Sequence, residues 1–355
     1  MKPNSSYLIW PKVFLKRYLV FILTVLFSFN LQAQEISNEF KPAWWCRGAH
    51  LQTIYGGLFR TNPTVPLRHE RFETPDGDFL DLDRLDSSQN SPVVVVLHGL
   101  GSSAGTPYIH SLLYKIHQVG WRAIAINARG SGHELNRLKE IHHGGKTKDL
   151  DSVIHYLIEK ENTETIYIVG YSLGGNIILK WLGEKEAAVP NQVKKAVVVS
   201  VPYDLAKAAQ NLDRGFNQKV YARVLLKTLK KQAFRKEKQF PGIIDVEKVK
   251  NAHTFRMFDR EVTARLNGFK DENDYWKQSS SGRFLAAIKV PVLLIHAAND
   301  PFLPQKDLPL ETIKQSSNLK LLLTSDGGHL GFISGKIPFR PDDWLESVIS
   351  EYLKR

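Results

Sequence analysis

Residues 166–176 read Ile-Tyr-Ile-Val-Gly-Tyr-Ser-Leu-Gly-Gly-Asn, and the fold turns on how they are read. Ile166-Tyr167-Ile168-Val169 is a run suited to a buried strand, and Ile177 to Leu182 carries an amphipathic helical pattern. Between them Ser172 sits among Gly170, Gly174 and Gly175. A strand that turns straight into a helix brings backbone close to backbone, and side chains beside the serine would collide there. Glycine removes the collision and tolerates unusual dihedrals. The serine hydroxyl is then exposed at the strand end. The N–H of Leu173, at the start of the helix, points where a negatively charged oxygen would form.

Working outward, further strand and helix signals alternate. Leu67–Phe72 and Phe79–Leu85 flank Pro75-Asp76-Gly77, a hairpin signal. Pro92–Leu97 is a continuous β-branched run suited to a strand buried on both faces. Tyr108–Val119 reads as a helix closed by Gly120, Trp121–Ile126 as a strand and Leu150–Glu159 as a helix. Ala196–Val201 and Pro291–Ala297 are further strands, Leu321–Thr324 is expected to be the last, and Asp342–Lys354 a closing helix. The order predicts an α/β fold with a mostly parallel central sheet and helices on both faces. Residues 34–66, rich in aromatics and proline, read as an N-terminal arm, with the main domain over 67–355. Within it, about 206–288 carries helical patterns and many cations, among them Lys219, Arg223, Lys227, Lys231 and Arg235. That interval is expected to form a helical lid over the C-terminal edge of the sheet.

The N-terminus carries Lys2, Lys12, Lys16 and Arg17, then an apolar run from Tyr18 to Phe29, then Asn30-Leu31-Gln32-Ala33-Gln34. A positive flank, a short apolar core and a small residue suit a signal peptide over 1–33. A membrane anchor is the alternative, although the run is shorter than the roughly 20 residues that span a bilayer. The chain is thus expected to be exported or membrane-anchored, or cytoplasmic if translation starts downstream. Its 355 residues can bury a large core, and its formal charge of +12 makes an anionic membrane surface a candidate partner. No nucleic-acid-binding signature accompanies that charge. Cys46 is the only cysteine, so no internal disulfide and no multi-cysteine metal site can form. Trp44 and Trp45 precede it, which suits a packed thiol.

Serine needs a base to become a nucleophile, and the base needs a group that orients it. Asn299-Asp300-Pro301 follows one predicted strand and Gly327-Gly328-His329 follows the next, giving the order serine, acid, histidine at successive strand ends. Glycines would let His329 reach the serine from a mobile loop. Asp326 is the rival acid, but it lies too near His329 to come from a separate strand end. Ser172, Asp300 and His329 are therefore the expected catalytic residues, with the backbone N–H groups of Leu173 and Leu100 as oxyanion donors. His98 is expected to shape its loop rather than act as a base. Arg129 is expected to bond loop carbonyls rather than substrate. No cofactor or metal site is expected, since His142-His143 do not share a helix face and no Lys-Ser/Thr follows the glycines.

With these residues assembled, the chain resembles the α/β-hydrolase superfamily, and more narrowly its YheT-like branch, whose eukaryotic relatives are membrane-associated lipid esterases. The resemblance runs from about residue 40 to the end. It is carried by Pro42, Ala49-His50-Leu51-Gln52-Thr53, His98-Gly99-Leu100, Arg129-Gly130, Asn136-Arg137, His143, the 170–176 turn, Asn299-Asp300-Pro301 and Gly328-His329. Gly101, Ala128 and Ser131 depart from it, standing where the branch usually has an acid, an aromatic and a cysteine. The resemblance implies a serine carboxylester hydrolase acting on short-chain or monoacylglycerol-like esters through an acyl-enzyme. The same three groups would serve a thioesterase or amidase, and the fold would also suit a non-catalytic lipid- or membrane-binding protein.

Overall fold

The β-branched run from Pro92 folds as expected into β3 (Val93–Leu97), and every residue of it is buried. A computed structural model describes residues 40–60, 63–132 and 134–355; the proposed signal or anchor segment lies outside them. Around β3 an eight-stranded sheet forms from β1 (Leu67–Glu73), β2 (Phe79–Leu85), β4 (Arg122–Asn127), β5 (Ile166–Tyr171), β6 (Val193–Val199), β7 (Val292–Ala297) and β8 (Leu319–Thr324). The spatial order is β1-β2-β4-β3-β5-β6-β7-β8. β1 and β2 form the expected hairpin, and β2 also pairs antiparallel with β4; all other neighbours are parallel.

Side chains of a strand alternate between the two faces of the sheet. Val93, Val95 and Leu97 join one core with Leu150, Val153, Ile154 and Leu157 of α3 (Thr147–Glu159) and Ile177 and Ile178 of α4 (Leu173–Lys185). On the other face α2 (Pro107–Gln118) packs on β4, and on a closing helix over Trp344–Lys354 that also packs on β6. The ends of α2 fall within one residue of the sequence reading, while α3 begins three residues before Leu150 and α4 extends beyond Ile177–Leu182 by four residues at its start and three at its end.

Three differences stand out. The N-terminal arm contains a helix, α1 (Ala49–Leu58), whose Gly56-Gly57 and low charge hide any helical pattern. Leu319–Thr324 is not the last strand: a small antiparallel pair, β9 (Ser334–Ile337) and β10 (Arg340–Asp342), follows it. That pair buries little of its side-chain surface, so no alternation marks it, and Ile337 and Phe339 stand exposed. The closing helix accordingly begins at Trp344, because Asp342 belongs to β10.

Between β6 and β7 the described chain forms helices joined by turns and no strand, among them α5 (Leu205–Leu212), α6 (Arg223–Gln239), α7 (Val246–Asn251) and α8 (Glu272–Ser279). These helices have their own core, in which Leu212, Leu226, Phe255, Phe258, Tyr275 and Trp276 are buried. Leu173 and Phe302, from the C-terminal ends of β5 and β7, pack into it. The insertion therefore rests on the sheet edge where the serine lies.

In the sheet, β3 has β4 on one side and β5 on the other, so successive connections leave it in opposite directions. Such a switch point opens a crevice outside the C-terminal strand ends, where ligands bind in open α/β sheets. The loops after β3 and β5 flank this crevice.

Candidate active site

Ser172 lies between β5 and α4 with φ 50° and ψ −117°, a left-handed backbone that a non-glycine residue adopts only under constraint. Its surroundings impose that constraint. A Cβ on Gly174 would stand 2.5 Å from the carbonyl oxygen of Leu97, and one on Gly170 would stand 2.5 Å from Ile178 Cδ1. The two glycines thus let α4 start directly against β3 and β5. Among the described residues, no acceptor stands against the N–H of Leu173 or of Leu100. The loop that carries Leu100 is held by Tyr108, whose hydroxyl accepts the Gly99 N–H at 3.1 Å.

His329 Nε2 lies 3.1 Å from Ser172 Oγ, and His329 Nδ1 lies 2.8 Å from Asp300 Oδ2. The three side chains, drawn from the ends of β5, β7 and β8, form one hydrogen-bonded chain. The other oxygen of Asp300 accepts the N–H groups of Phe302 and Leu303 at 2.8 and 3.1 Å. The carboxyl is fully buried. Burial raises its pKa, but the charge and hydrogen bond of His329, aided by His296 and the Phe302 N–H, outweigh it and hold the acid below its ordinary value. With Nδ1–H donating to Asp300, Nε2 is left to accept the serine proton. Phe302 stacks on the imidazole, ring centres 4.2 Å apart.

The rival acid is placed elsewhere. Asp326 accepts from Asn299 Nδ2 at 2.9 Å, and Asn299 in turn accepts the Gly328 N–H at 3.0 Å. These bonds, with others from α1, link the His329 loop to its neighbours. The N–H of His329 donates to Thr53 Oγ1 at 2.9 Å. Gln52, fully buried, donates to the carbonyls of Cys46 and Ile333 and accepts the Ile333 N–H at 2.6 Å. Packing is close enough that a Cβ on Gly331 would stand 2.3 Å from the Gln52 carbonyl oxygen. Thr53, Gln52 and Asn299 are site residues that the sequence marks only indirectly, through Ala49-His50-Leu51-Gln52-Thr53 and Asn299-Asp300-Pro301. Cys46 is buried beside them, and burial pushes its thiol up to about 11, in line with a packed role.

His98 shapes its loop as expected. Nδ1–H donates to the Gly99 carbonyl at 2.8 Å and Nε2 accepts the Ala128 N–H at 3.2 Å, while burial lowers its pKa to about 4. Arg129 departs from expectation: it binds carboxylates, not carbonyls. Its guanidinium pairs with Asp149, Asp78 and Asp76 at 2.6, 3.0 and 2.9 Å. Asp78, fully buried, also accepts Asn136 Nδ2 and the Arg137 N–H. Two other segments, residues 76–78 and Asp149 in α3, thereby brace the loop after β4, and a buried guanidinium needs that much negative charge. His143 is buried near Tyr275, and burial, then Lys146, lowers its pKa to about 3.

Ser172, His329, Leu100 and Leu173 line one cavity of about 380 Å³. Its wall is mostly apolar, with Leu205, Leu212, Leu225, Phe255, Phe258 and Trp276 coming from the insertion. A nucleophile chain at the edge of such a cavity is equipped for acyl transfer to an apolar substrate.

Known proteins agree with this architecture. The sequence profile described as the alpha/beta hydrolase fold matches residues 92–336. The chain is 36% identical to a protein of Escherichia coli (strain K12) named "Putative esterase YheT", over 89% of this chain and 93% of that one. It is 28% identical to the phospholipase ABHD3 of Bos taurus, over 90% of this chain and 79% of that one. A solved structure of the Pyrococcus furiosus esterase PF2001 shares the fold, with a TM-score of 0.56 at 19% identity, over 83% of this chain and 95% of that one. The chain therefore belongs to the α/β-hydrolase family, on the branch that includes YheT.

Proposed function

We propose that this protein is a serine carboxylester hydrolase. Ser172 attacks the ester carbonyl while His329 Nε2 takes its proton. Asp300 holds the imidazole in the tautomer this needs and stabilises its charged form. The oxyanion is received by the Leu173 and Leu100 N–H groups. His329 returns the proton to the departing alcohol, and water resolves the acyl-enzyme by the same steps in reverse roles. The observation that carries the reading is the unbroken Asp300–His329–Ser172 hydrogen-bonded chain at the wall of an apolar cavity.

The apolar wall favours esters with an acyl chain, from short-chain esters to monoacylglycerol-like lipids. Each methylene moved from water into such a cavity contributes about 0.8 kcal/mol, or about fourfold in kcat/KM. The test is a panel of nitrophenyl esters of rising length run beside acyl-CoA thioesters and peptide amides. A rise with chain length on esters alone supports the reading. Preference for thioester or amide replaces it with a thioesterase or amidase, and activity that survives Ser172→Ala removes catalysis by this serine.

The relatives' names agree with this chemistry, since they include an esterase and a phospholipase. We also propose that residues 1–33 take the chain to a membrane or across it. Sequencing the N-terminus of protein from membrane and exported fractions tests this; intact protein confined to the cytoplasm would contradict it.

A further inference from the structure

From Arg214 to Lys236 the chain has eight cations and no acid. Five of them, Lys219, Arg223, Lys227, Lys231 and Arg235, follow one another at intervals of four and are all exposed. Residues four apart on a helix are neighbours, and a like-charge pair there costs about 0.2–0.5 kcal/mol. The row therefore repels itself along its whole length. Among the described residues none of the five pairs with a carboxylate. This contrasts with Arg256 and Arg260 of the same insertion, which both bind Glu272 at 2.6 and 2.7 Å.

Exposed apolar side chains lie at one end of this row. Phe216 is 50% exposed and Val224 63% exposed. Beside them the arm helix α1 leaves Leu51 exposed, with Leu58 and Phe59 at its end 72% and 64% exposed. The two groups are joined: His50 Nδ1 is hydrogen-bonded to the Tyr221 hydroxyl at 2.9 Å, the His50 ring lies 4.3 Å from that of Phe216, and Ile54 packs on the core of the insertion. The cavity opens between them, since Gly57 of α1 and Val224 of α6 are exposed and both line it. An apolar rim around the mouth of an apolar cavity, with an unneutralised cationic row leading away from it, matches the two layers of a lipid surface. Apolar groups enter the acyl region, and cations reach the headgroups.

We propose that the face formed by α1 and by residues 214–235 docks on a bilayer carrying anionic lipid, so that the cavity mouth opens onto the membrane. Docking in this orientation lets an ester pass from the bilayer to Ser172 without crossing water. The anionic lipid relieves the repulsion along Lys219–Arg235, and Leu58, Phe59 and Phe216 lose their contact with water. For its substrate the inference rests on the esterase reading; for its geometry it does not.

The experiment uses the full chain, so that residues 1–39 contribute equally to every variant. Sedimentation is measured with vesicles of phosphatidylcholine, with and without phosphatidylglycerol, at low and high salt. Hydrolysis is measured in parallel on a vesicle-embedded monoacyl ester and on a water-soluble short-chain ester. The variant Lys219→Gln/Arg223→Gln/Lys227→Gln should bind anionic vesicles about a hundredfold more weakly at low salt, at about fivefold per charge. High salt should close that gap. Leu58→Ser/Phe59→Ser/Phe216→Ser should lose binding to both kinds of vesicle. Both variants should keep turnover of the soluble ester and lose it on the embedded one. Unchanged vesicle binding in both variants would overturn the proposal, and so would capture of an acidic protein by this face while vesicle binding stays unmoved. Absent hydrolysis of the soluble ester by the unsubstituted chain would instead remove the esterase reading, while sedimentation would still decide the docking.

Discussion

The backbone N–H of His329 donates to the side-chain hydroxyl of Thr53, a residue 276 positions earlier, at 2.9 Å. The hydroxyl in turn donates to the Ala49 carbonyl at 2.7 Å, so a turn of the arm helix sets the height of the imidazole above Ser172. Thr53→Val keeps the shape and removes the acceptor, leaving a part-buried N–H without its partner. That loss is expected to cost about 1–3 kcal/mol. In the proposed mechanism it should lower kcat about tenfold with little change in KM, because the loop carries the base and not the substrate. Thr53→Ser should restore kcat, a rescue that a purely steric role for Thr53 would not give. Steady-state kinetics of both variants check this.

Asp300 and Asp326 can be separated in one pair of variants. Asp300→Asn leaves the buried contacts to Phe302 and Leu303 available but presents the wrong partner to His329 Nδ1. Turnover should fall by about 10⁴ with the circular dichroism spectrum unchanged. Asp326→Asn, whose carboxylate meets Asn299, should retain turnover to within about tenfold. The reverse pattern would move the acid to Asp326.

Gly174 is a packing requirement rather than a catalytic one. In Gly174→Ala the new methyl would meet the Leu97 and His98 carbonyl oxygens at 2.5 and 2.7 Å, and backbone cannot yield as a side-chain tip can. Overpacking of that kind costs about 1–3 kcal/mol. Urea unfolding should show this loss of stability together with loss of serine reactivity, since α4 can no longer seat beneath Ser172.

Stability should depend on pH through two buried groups of opposite sign. His98 is held neutral by burial, down to about 4. The unfolded chain then binds the extra proton first, so its contribution is intact above about 6.5 and is lost as pH falls towards 4. Asp259, which accepts from Thr263 and Trp276 in the insertion, is raised by burial to about 7. Here the folded chain holds the proton longer, so stability falls as pH rises from about 4 to 7. Urea midpoints measured from pH 4 to 8 should show Asp259→Asn flattening the second trend and His98→Gln the first. A wild-type profile unaltered by either variant would contradict these assignments.

Much of this architecture is legible in the residues themselves. The runs Val93–Leu97, Ile166–Val169 and Val292–Ile295 are apolar without interruption because both faces of a central strand are covered. The glycines at 170 and 174 and the strand-end positions of Asp300 and His329 are equally local signals. What stayed hidden depends on contacts far apart in the chain. Nothing near Thr53 or Gln52 announces that they hold a loop close to residue 330. Nothing near Arg129 shows that three carboxylates from two other segments converge on it. β9 and β10 escaped because a small exposed pair needs no hydrophobic alternation to form.

The most direct test of the central claim is labelling of the purified protein with a fluorophosphonate, followed by peptide mapping and by the same reaction on His329→Ala. The account predicts a single adduct on Ser172 that forms rapidly in the unsubstituted chain and is reduced by several orders of magnitude without the imidazole. An unlabelled Ser172, or labelling that proceeds equally well without His329, would contradict it.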